Sequence, residues 1–179
     1  MDLREITKDS REIFNGRIIR VRVDKVELPD GREGTREIVD HNGAVAIIAM
    51  DEKGQLKMVR QYRKAAEKIM LEIPAGTLEK GEEPLACAHR ELEEETGLRA
   101  RRWEKILSYF SAPGFCNEEL HLYLAQDLYP GESDPDEDEF LELVDVPIKE
   151  AYDMIFQGQI NDGKSIIGIQ YAWHRMERT

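Results

Sequence analysis

The sequence predicts a layered domain of mixed strands and helices, in the α+β or α/β class. Three observations lead to this prediction. Short apolar runs rich in β-branched residues recur along the chain and are separated by turn-forming residues. Residues 84–96 carry apolar side chains at helical spacing, and the residues after Pro147 show the same spacing twice more. At 179 residues, the chain is long enough for one such domain with a substantial hydrophobic core.

The strand-like segments either alternate or are continuously apolar. The segment "RIIRVRVDKVEL" at 17–28 alternates and is followed by the turn residues "LPDGREG", whereas "AVAIIAM" at 44–50 indicates a buried strand. After the turn "DEKG", the segment "LKMVRQYR" at 56–63 is predicted to be an antiparallel partner of that buried strand. Further strands are expected at "KIMLEI" (68–73), "ILSYF" (106–110), "LHLYLAQDL" (120–128) and "FLELVDV" (140–146).

One helix is expected at 84–96 and two more near the C-terminal end. Pro84 suits the first turn of the first helix, and Gly97 suits its end. The predicted apolar stripe of this helix consists of Leu85, Ala88 and Leu92. The later helices have one apolar face formed by Ile148, Ala151 and Ile155, and another formed by Ile166, Ile169 and Trp173.

The composition excludes several classes of protein. The formal net charge of −12 argues against binding to nucleic acid or to an anionic membrane, because both would be repelled at long range. The start, "MDLREITKDS", is charged and unlike a signal peptide, and the longest apolar run is too short to cross a bilayer. The two cysteines, Cys87 and Cys116, are not spaced as a zinc site or a disulfide framework. We therefore expect a soluble, cytoplasmic protein.

The segment "RELEEETG" at 90–97 concentrates glutamates on little more than one helical turn. At about 100° per residue, Glu91, Glu94 and Glu95 share one arc beside the apolar stripe. Glu93 points elsewhere, and Arg90 is placed to pair with Glu94. Grouped carboxylates repel one another, but they suit hard divalent cations, which prefer oxygen ligands. A metal site is one interpretation, and a solvated, glutamate-rich helix face is the alternative.

The residues around the glutamates favour the metal site. In "GTLEKGEEPLACAHRELEEETGL" at 76–98, a glycine, a glutamate, an "REL" triplet, an "EE" pair and a "GL" pair are separated by five, seven, one and one residues. This spacing resembles the Nudix box at every defined position. The resemblance implies the Nudix fold, a mixed β-sheet sandwiched between helices in an α/β/α arrangement, in which the box binds magnesium or manganese. It also implies hydrolysis of a nucleoside diphosphate linked to another group.

Roles within the box follow from its chemistry and from the resemblance. Glu91 and Glu95, one turn apart, are the expected magnesium ligands, and Glu94 is either a third ligand or a local base. The backbone carbonyl of Ala75 is a metal ligand in similar enzymes. Gly76 would bring bare backbone close to the ions. Arg90 and Glu82 have supporting roles, the first as an orienting ion-pair partner and the second as an anchor for the loop.

Segments outside the box indicate the substrate. The segment "SAPGFCNEEL" at 111–120 has its proline sixteen positions after Gly97, and it resembles the segment that marks the ADP-ribose pyrophosphatase group. The segments "VRQYR" at 59–63, "LEIPAG" at 71–76 and "TREIVDHNGAVA" at 35–46 are also similar to that group. The resemblance implies hydrolysis of ADP-ribose to AMP and ribose 5-phosphate. The residues expected to bind substrate are Arg36, Glu37, Arg60, Arg63, Gly76, Pro113, Gly114 and Glu118.

The acidic segment "DPDEDEF" at 134–140 is expected to be a loop that supplies the last carboxylate. By resemblance, Glu139 is the expected general base, with Glu137 in reserve, and a merely solvated loop is the alternative. Residues 1–40 are expected to form a strand-rich extension that makes a two-fold homodimer. In similar enzymes this region reaches across the dimer to the nucleotide, which would bring Arg36 and Glu37 to it. Residues 41–179 would form the hydrolase domain.

Several alternatives to ADP-ribose hydrolysis remain. Another nucleotide sugar such as GDP-mannose, or a dinucleoside polyphosphate, would use the same box. A different class is a Nudix domain that senses a nucleotide without cleaving it. This class is disfavoured because every box glutamate is present and no basic helix-turn-helix segment is visible.

Overall fold

The computed structural model describes residues 2–132 and 140–178. Within these ranges the chain forms ten strands and three helices. The strands are β1 (Ile6–Asn15), β2 (Ile19–Glu27), β3 (Glu33–His41), β4 (Ala44–Ala49), β5 (Gln55–Arg63), β6 (Lys68–Glu72), β7 (Ala75–Thr77), β8 (Leu98–Phe110), β9 (Glu119–Pro130) and β10 (Leu141–Pro147). The helices are α1 (Pro84–Thr96), α2 (Ile148–Phe156) and α3 (Gly163–Met176).

The chain divides into two compact units. The N-terminal unit comprises the residues up to Gly43 together with Tyr109–Glu119. Strands β1, β2 and β3 form an antiparallel three-stranded sheet in this unit, so the alternating segment at 17–28 is a strand as predicted. The segment between β8 and β9 lies along β3, because the Val39 N–H donates to the Phe115 carbonyl at 2.7 Å and the Asn117 N–H donates to the Val39 carbonyl at 3.2 Å.

The C-terminal unit comprises Ala44–Ser108 and the residues from Leu120 onward. It contains a four-stranded sheet in the order β7-β4-β9-β8, in which β4 is parallel to β9 and antiparallel to β7. A second sheet has the order β10-β5-β6, and its strands are antiparallel. All six residues of β4 are buried, as the apolar run at 44–50 predicts. This strand forms the centre of the hydrophobic core.

The predicted pairing of β4 with the segment at 56–63 is wrong. That segment is a strand, but it belongs to the second sheet, where Val59 lies opposite Glu72 and Arg60 lies opposite Glu142. The only β-bridge recorded across the turn in the described residues joins Met50 and Leu56. Strand β4 is buried on both faces and has β7 and β9 as its neighbours. Strand β5 instead has exposed polar positions, which suit a sheet with one face toward water.

Helix α1 covers the predicted residues and ends as predicted. Gly97 adopts the left-handed conformation with φ 65°, and its N–H donates to the Glu93 carbonyl at 2.8 Å. The predicted stripe is wrong at Leu85, which is 42% exposed. The buried residues of the helix are Cys87, Ala88, Leu92, Glu95 and Thr96. At about 100° per residue, Leu85 and Leu92 are seven positions apart and lie on the same face, so the exposure of Leu85 reflects its place in the first turn of the helix rather than its face.

The two C-terminal helices are present, and their predicted faces contain buried residues. Ile148 and Ala151 of α2 are buried, as is Ile169 of α3. Helix α3 begins at an N-cap, Asp162, whose carboxylate accepts a hydrogen bond from the Ser165 N–H at 3.0 Å. Among the described residues, no helix is both long and apolar enough to span a membrane.

Candidate active site

Two glutamates of α1 face the backbone of the short strand β7. A Cβ atom added to Gly76 would overlap with the carboxylate of Glu91, so only glycine lets this side chain approach so closely. One turn further along the helix, Glu95 Oε2 accepts a hydrogen bond from the Ala75 N–H at 3.0 Å. The side chains of Glu91 and Glu95 therefore converge on the Ala75-Gly76 peptide. These three elements of the predicted metal site lie together.

Arg90 connects three of the carboxylates around the start of α1. Its Nη1 donates to Glu91 Oε1 at 2.7 Å and to Glu94 Oε2 at 2.9 Å. Its Nε and Nη2 donate to the carboxylate of Glu82, each at 3.0 Å. Hydrogen bonds to Glu82 raise the pKa of Arg90, and those from Arg90 lower the pKa of Glu82. The predicted pairing of Arg90 with Glu94 is present, and the arginine offsets repulsion within the cluster.

Glu93 points away from this cluster, as predicted. Its carboxylate forms an ion pair with Arg99 at 2.6 Å and accepts a hydrogen bond from the Glu132 N–H at 3.0 Å. Glu93 therefore belongs to the connection between the end of α1 and the end of β9. A substitution of Glu93 can therefore serve as the control for substitutions of the glutamates that face β7.

The donor atoms at the Ala75-Gly76 peptide fit a hard divalent cation. The nearby groups are carboxylate oxygens and backbone, without thiolate or imidazole, and this set suits magnesium or manganese better than zinc. Within residues 2–132 and 140–178, no three His, Cys, Asp or Glu side chains are gathered closely enough to count as a complete site. Two carboxylates and one peptide thus give a partial ligand set that a bound cation would complete with its own waters.

Arg63 is paired with a buried carboxylate rather than left in solvent. Its Nε and Nη2 donate to the two carboxylate oxygens of Glu72 at 2.9 and 2.8 Å. Glu72 is only 1% exposed. Burial acts to raise the pKa of Glu72, but the hydrogen bonds from Arg63 and the charge of Lys164 outweigh it, so this pKa lies below its usual value. Arg63 is thereby held in one orientation, and its charge also acts on Glu95.

The other predicted substrate-binding arginines have surface partners. Arg60 donates to Glu142 on the neighbouring strand β10 at 2.7 Å. Arg36 on β3 contacts Glu5 and donates to the Thr35 carbonyl at 2.9 Å. Glu37, the next residue, is exposed. These contacts are all exposed ones, which contribute little to stability and are easily exchanged for a ligand.

Pro113, Gly114 and Glu118 lie in the N-terminal unit, in the segment that follows β8. Glu118 Oε1 is 3.7 Å from His41 Nδ1. That nitrogen accepts a hydrogen bond from the Gly43 N–H at 3.0 Å, so in this arrangement the ring proton is on the other nitrogen. The glutamate and the histidine therefore face each other as two acceptors.

A family model described as "NUDIX domain" matches residues 40–166, and one described as "Nucleoside diphosphate sugar hydrolase N-terminal domain" matches residues 5–39. The first match covers well over half of the chain and includes α1 with all of its glutamates. The chain belongs to the Nudix family. Nudix enzymes that act on ADP-ribose generally use divalent metal ions, in agreement with the donor atoms at the Ala75-Gly76 peptide.

Two curated relatives resemble this Nudix chain over nearly its whole length. The ADP-ribose pyrophosphatase of Bacillus subtilis (strain 168) is 44% identical, over 94% of this chain and 92% of the relative. The methanol dehydrogenase activator of Bacillus methanolicus is 47% identical, over 93% of this chain and 91% of the relative. The crystal structure of an ADP compounds hydrolase, 23% identical, covers 99% of this chain and 97% of the other at a TM-score of 0.87. This last similarity confirms the predicted Nudix fold.

The two predicted general bases of this Nudix protein, Glu139 and Glu137, lie outside the described residues. The other predicted site residues are divided between the two compact units. The N-terminal unit contains Arg36, Glu37, Pro113, Gly114 and Glu118, and the C-terminal unit contains Arg60, Arg63, Ala75, Gly76, Glu91, Glu94 and Glu95.

Three residues that organise these regions are not among those expected from the sequence. The buried Glu72 contacts both Arg63 and the half-buried Lys164, although Glu72 and Lys164 are 92 positions apart in the chain. Asn117 accepts a hydrogen bond from the His41 N–H at 2.7 Å and donates to Asp40 at 3.2 Å, so it links two segments that each resemble the ADP-ribose group. A buried glutamate inside the apolar run "KIMLEI" was a detectable signal, because such a charge needs a partner.

Proposed function

We propose that this Nudix enzyme hydrolyses the diphosphate of ADP-ribose, with magnesium or manganese, to AMP and ribose 5-phosphate. The observation that supports a hydrolase most directly is the convergence of Glu91 and Glu95 on the Ala75-Gly76 peptide. The identity of 44% to an ADP-ribose pyrophosphatase, over nearly the full length of both chains, supports this substrate.

In this proposal Glu91, Glu95 and the carbonyl of Ala75 hold the cation, with Glu94 as a further ligand or a local base. When bound, a divalent cation would neutralise diphosphate charge and make a water molecule more acidic. Arg90 keeps the carboxylates of Glu91 and Glu94 in place while the cation is absent. Gly76 leaves the space that Glu91 occupies.

The proposed substrate contacts begin at Arg63. Glu72 engages the Nε–Nη2 edge of its guanidinium, so the opposite edge remains to donate to a phosphate oxygen. Gly76 would let the diphosphate approach bare backbone at the same turn. The remaining proposed contacts to phosphate or ribose come from Arg60, Pro113, Gly114 and Glu118. Arg36 and Glu37 would contact the nucleotide from the N-terminal extension of the other chain in a dimer.

Proton removal from the attacking water is assigned to Glu139, with Glu137 in reserve. A carboxylate suits this step, because it can accept the proton that the attacking water loses. The charge change Glu139→Gln should lower kcat by about 100-fold, whereas Glu137→Gln should have a much smaller effect.

The substrate is tested with a panel of compounds in the presence of magnesium. ADP-ribose, GDP-mannose and a dinucleoside polyphosphate are each incubated with the enzyme, and the products are separated by chromatography. We expect ADP-ribose to have the highest kcat/KM and to give AMP. Glu91→Gln should lower kcat/KM by about 100-fold or more, since a proposed metal ligand loses its charge. Glu93→Gln is the matched control on the same helix and should stay within about threefold of wild type.

Two results would contradict the proposal. A much higher kcat/KM for GDP-mannose would leave a Nudix hydrolase with another substrate. Absence of hydrolysis of any compound with either metal, together with tight nucleotide binding, would favour a sensor domain.

A second candidate function is activation of a dehydrogenase. It is favoured by the identity of 47% to the methanol dehydrogenase activator of Bacillus methanolicus. Adding the protein to a methanol dehydrogenase assay tests this candidate. Stimulation by wild type but not by Glu91→Gln would mean that activation depends on the hydrolase site.

The protein is further proposed to be a cytoplasmic homodimer that associates through residues 1–40. Strand β1 is exposed along its entire length, and apolar side chains of the same region are more than half exposed. They are Leu3, Ile6, Ile13, Phe14 and Ile18. Two free cysteines suit a reducing compartment such as the cytoplasm.

A further inference from the structure

The start of α3 carries a connected group of charged and polar side chains. The ammonium group of Lys164 contacts the carboxylate of Glu72 and donates to Asp162 Oδ2 at 3.0 Å. The same oxygen of Asp162 accepts from the Ser165 hydroxyl at 2.6 Å. The side chain of Lys164 is only 13% exposed, so its charge is largely removed from water. Such a position is costly for a lysine unless it has ionised partners.

This group reaches the candidate site at two points. At the first, Glu72 holds the guanidinium of Arg63 in a bidentate pair. At the second, the Ser165 hydroxyl accepts a hydrogen bond from the Ile73 N–H at 2.9 Å. Ile73 lies two residues before Ala75, whose N–H donates to Glu95. The start of α3 therefore contacts both the proposed phosphate-binding arginine and the chain leading into the proposed metal site.

We infer that Lys164 is a positioning residue for substrate binding, and this role rests on the proposed hydrolysis of a diphosphate. Glu72 is nearly inaccessible to water, so it can be satisfied only by its two cationic neighbours. Lys164 and the Nη2 of Arg63 share one oxygen of this carboxylate, Oε2, and the Nε of Arg63 donates to the other, so Arg63 keeps this bidentate arrangement while Lys164 is present. The free edge of the guanidinium then keeps a single direction.

The role of Lys164 is separable from capping of the helix. Asp162 caps α3 through the Ser165 N–H and hydroxyl, and both of these bonds remain when Lys164, which also donates to Asp162 Oδ2, is replaced. If Lys164 is removed, Arg63 becomes the sole cation on Glu72 and can shift toward Oε2, the oxygen that it shared with Lys164. Its free edge then turns away from the diphosphate. This change weakens binding and leaves the metal-binding carboxylates in place.

The test is Lys164→Met in the full chain, assayed with magnesium and ADP-ribose. We expect KM to rise about tenfold with kcat within about twofold of wild type, because Arg63 would bind substrate and transition state alike. Calorimetric titration with a nonhydrolysable α,β-methylene analogue of ADP-ribose should show a Kd weakened by about tenfold. Lys149→Met is the matched control, since Lys149 forms an exposed ion pair with Asp153 at 2.7 Å. It should leave both constants unchanged.

A double-mutant cycle distinguishes positioning from a general structural role. In an Arg63→Met background, Lys164→Met should change KM by less than about twofold, because the group that it positions is already gone. An equal rise in both backgrounds, or a fall in kcat at unchanged KM, would overturn the inference. Lys164→Arg, which keeps the charge, should restore KM to within about threefold of wild type.

If Lys164→Met does not fold, Lys164→Gln removes the charge and keeps a donor for Glu72. An unchanged KM in that variant would refute the positioning role. Wild-type enzyme is measured first on the same substrate panel. If the wild type neither cleaves nor binds ADP-ribose, the proposed function is refuted. If the wild type is active but the Lys164 variants keep its KM and Kd, only the inference about Lys164 is refuted.

Discussion

At the scale of single residues, Arg90 explains how α1 tolerates its glutamates. The guanidinium contacts Glu82, Glu91 and Glu94, so three negative charges share one positive charge. Like charges three or four positions apart on a helix destabilise it by a few tenths of a kcal/mol per pair, and a single half-buried arginine offsets repulsion of this size. The cluster is therefore stable before a cation binds, and its residual negative charge favours cation binding.

Gly76→Ala tests the close approach of Glu91 to the backbone. The added methyl group would overlap with the Glu91 carboxylate, which lies at the end of a flexible side chain and can move. We expect the melting temperature to fall by no more than about 4 °C. Displacement of this proposed metal ligand by about 1 Å should nevertheless lower kcat/KM about 100-fold. Both quantities are measured on the same preparation.

Gly163→Ala is the control for this glycine substitution. A Cβ atom at Gly163 meets no other atom within 4 Å, so activity and melting temperature should stay close to wild type. Normal activity of Gly76→Ala would mean that the position of Glu91 is unimportant for the reaction.

At the scale of secondary-structure elements, α1 combines packing and chemistry on neighbouring faces. Cys87, Ala88 and Leu92 are fully buried in the core, and Glu95 is only 7% exposed within the same arc. Because the apolar face of α1 is fixed in the core, the carboxylates beside that face keep their position against β7. The packing of α1 thus determines the geometry of the site.

Substitutions of two leucines compare the buried middle of α1 with its more exposed first turn. Leu92→Ala should lower the free energy of unfolding by about 2–5 kcal/mol, because it leaves a cavity in the core. Leu85→Ala should cost less than about 1 kcal/mol, since Leu85 is 42% exposed. Urea unfolding of both variants measures the difference. Equal losses would show that Leu85 packs as deeply as Leu92.

At the scale of the whole molecule, the N-terminal sheet leaves its edge strand uncovered. Strand β1 is the outer strand of the sheet β1-β2-β3, and every one of its residues is exposed. An exposed edge that carries isoleucine and phenylalanine favours association with another chain. A second copy of this chain is the proposed partner.

Sedimentation equilibrium tests this association. The wild-type chain should have about twice the monomer mass of 20.7 kDa. A variant with Ile6→Asp and Ile13→Asp should sediment as a monomer, because charges would replace apolar side chains on β1. Phe156→Asp is the control, as this equally exposed residue lies at the end of α2. A dimer that persists in the β1 variant would place the interface elsewhere.

Local patterns predicted most of the elements correctly. The helix at 84–96, the buried strand at 44–50 and the two C-terminal helices depend on periodicity and on helix-terminating residues, which act over a few positions. The pairing of β4 with β5 was predicted wrongly, because hydrophobicity does not distinguish a hairpin from a turn between two sheets. Leu85 was misplaced for another reason, since spacing identifies a face of the helix but not how far along the helix that face is covered.

In the candidate site too, contacts between residues close in the sequence were predictable, whereas contacts between residues far apart in the sequence were not. The sequence by itself determined the family, through the spacing of its glycines and glutamates, and it indicated Glu91 and Glu95 because carboxylates one turn apart share a helix face. Only the tertiary structure decided that Lys164 and Arg63 meet at the buried carboxylate of Glu72. Ion pairs depend on distance in space rather than along the chain, so partners 92 positions apart acquire a common role only after the two sheets and α3 have packed.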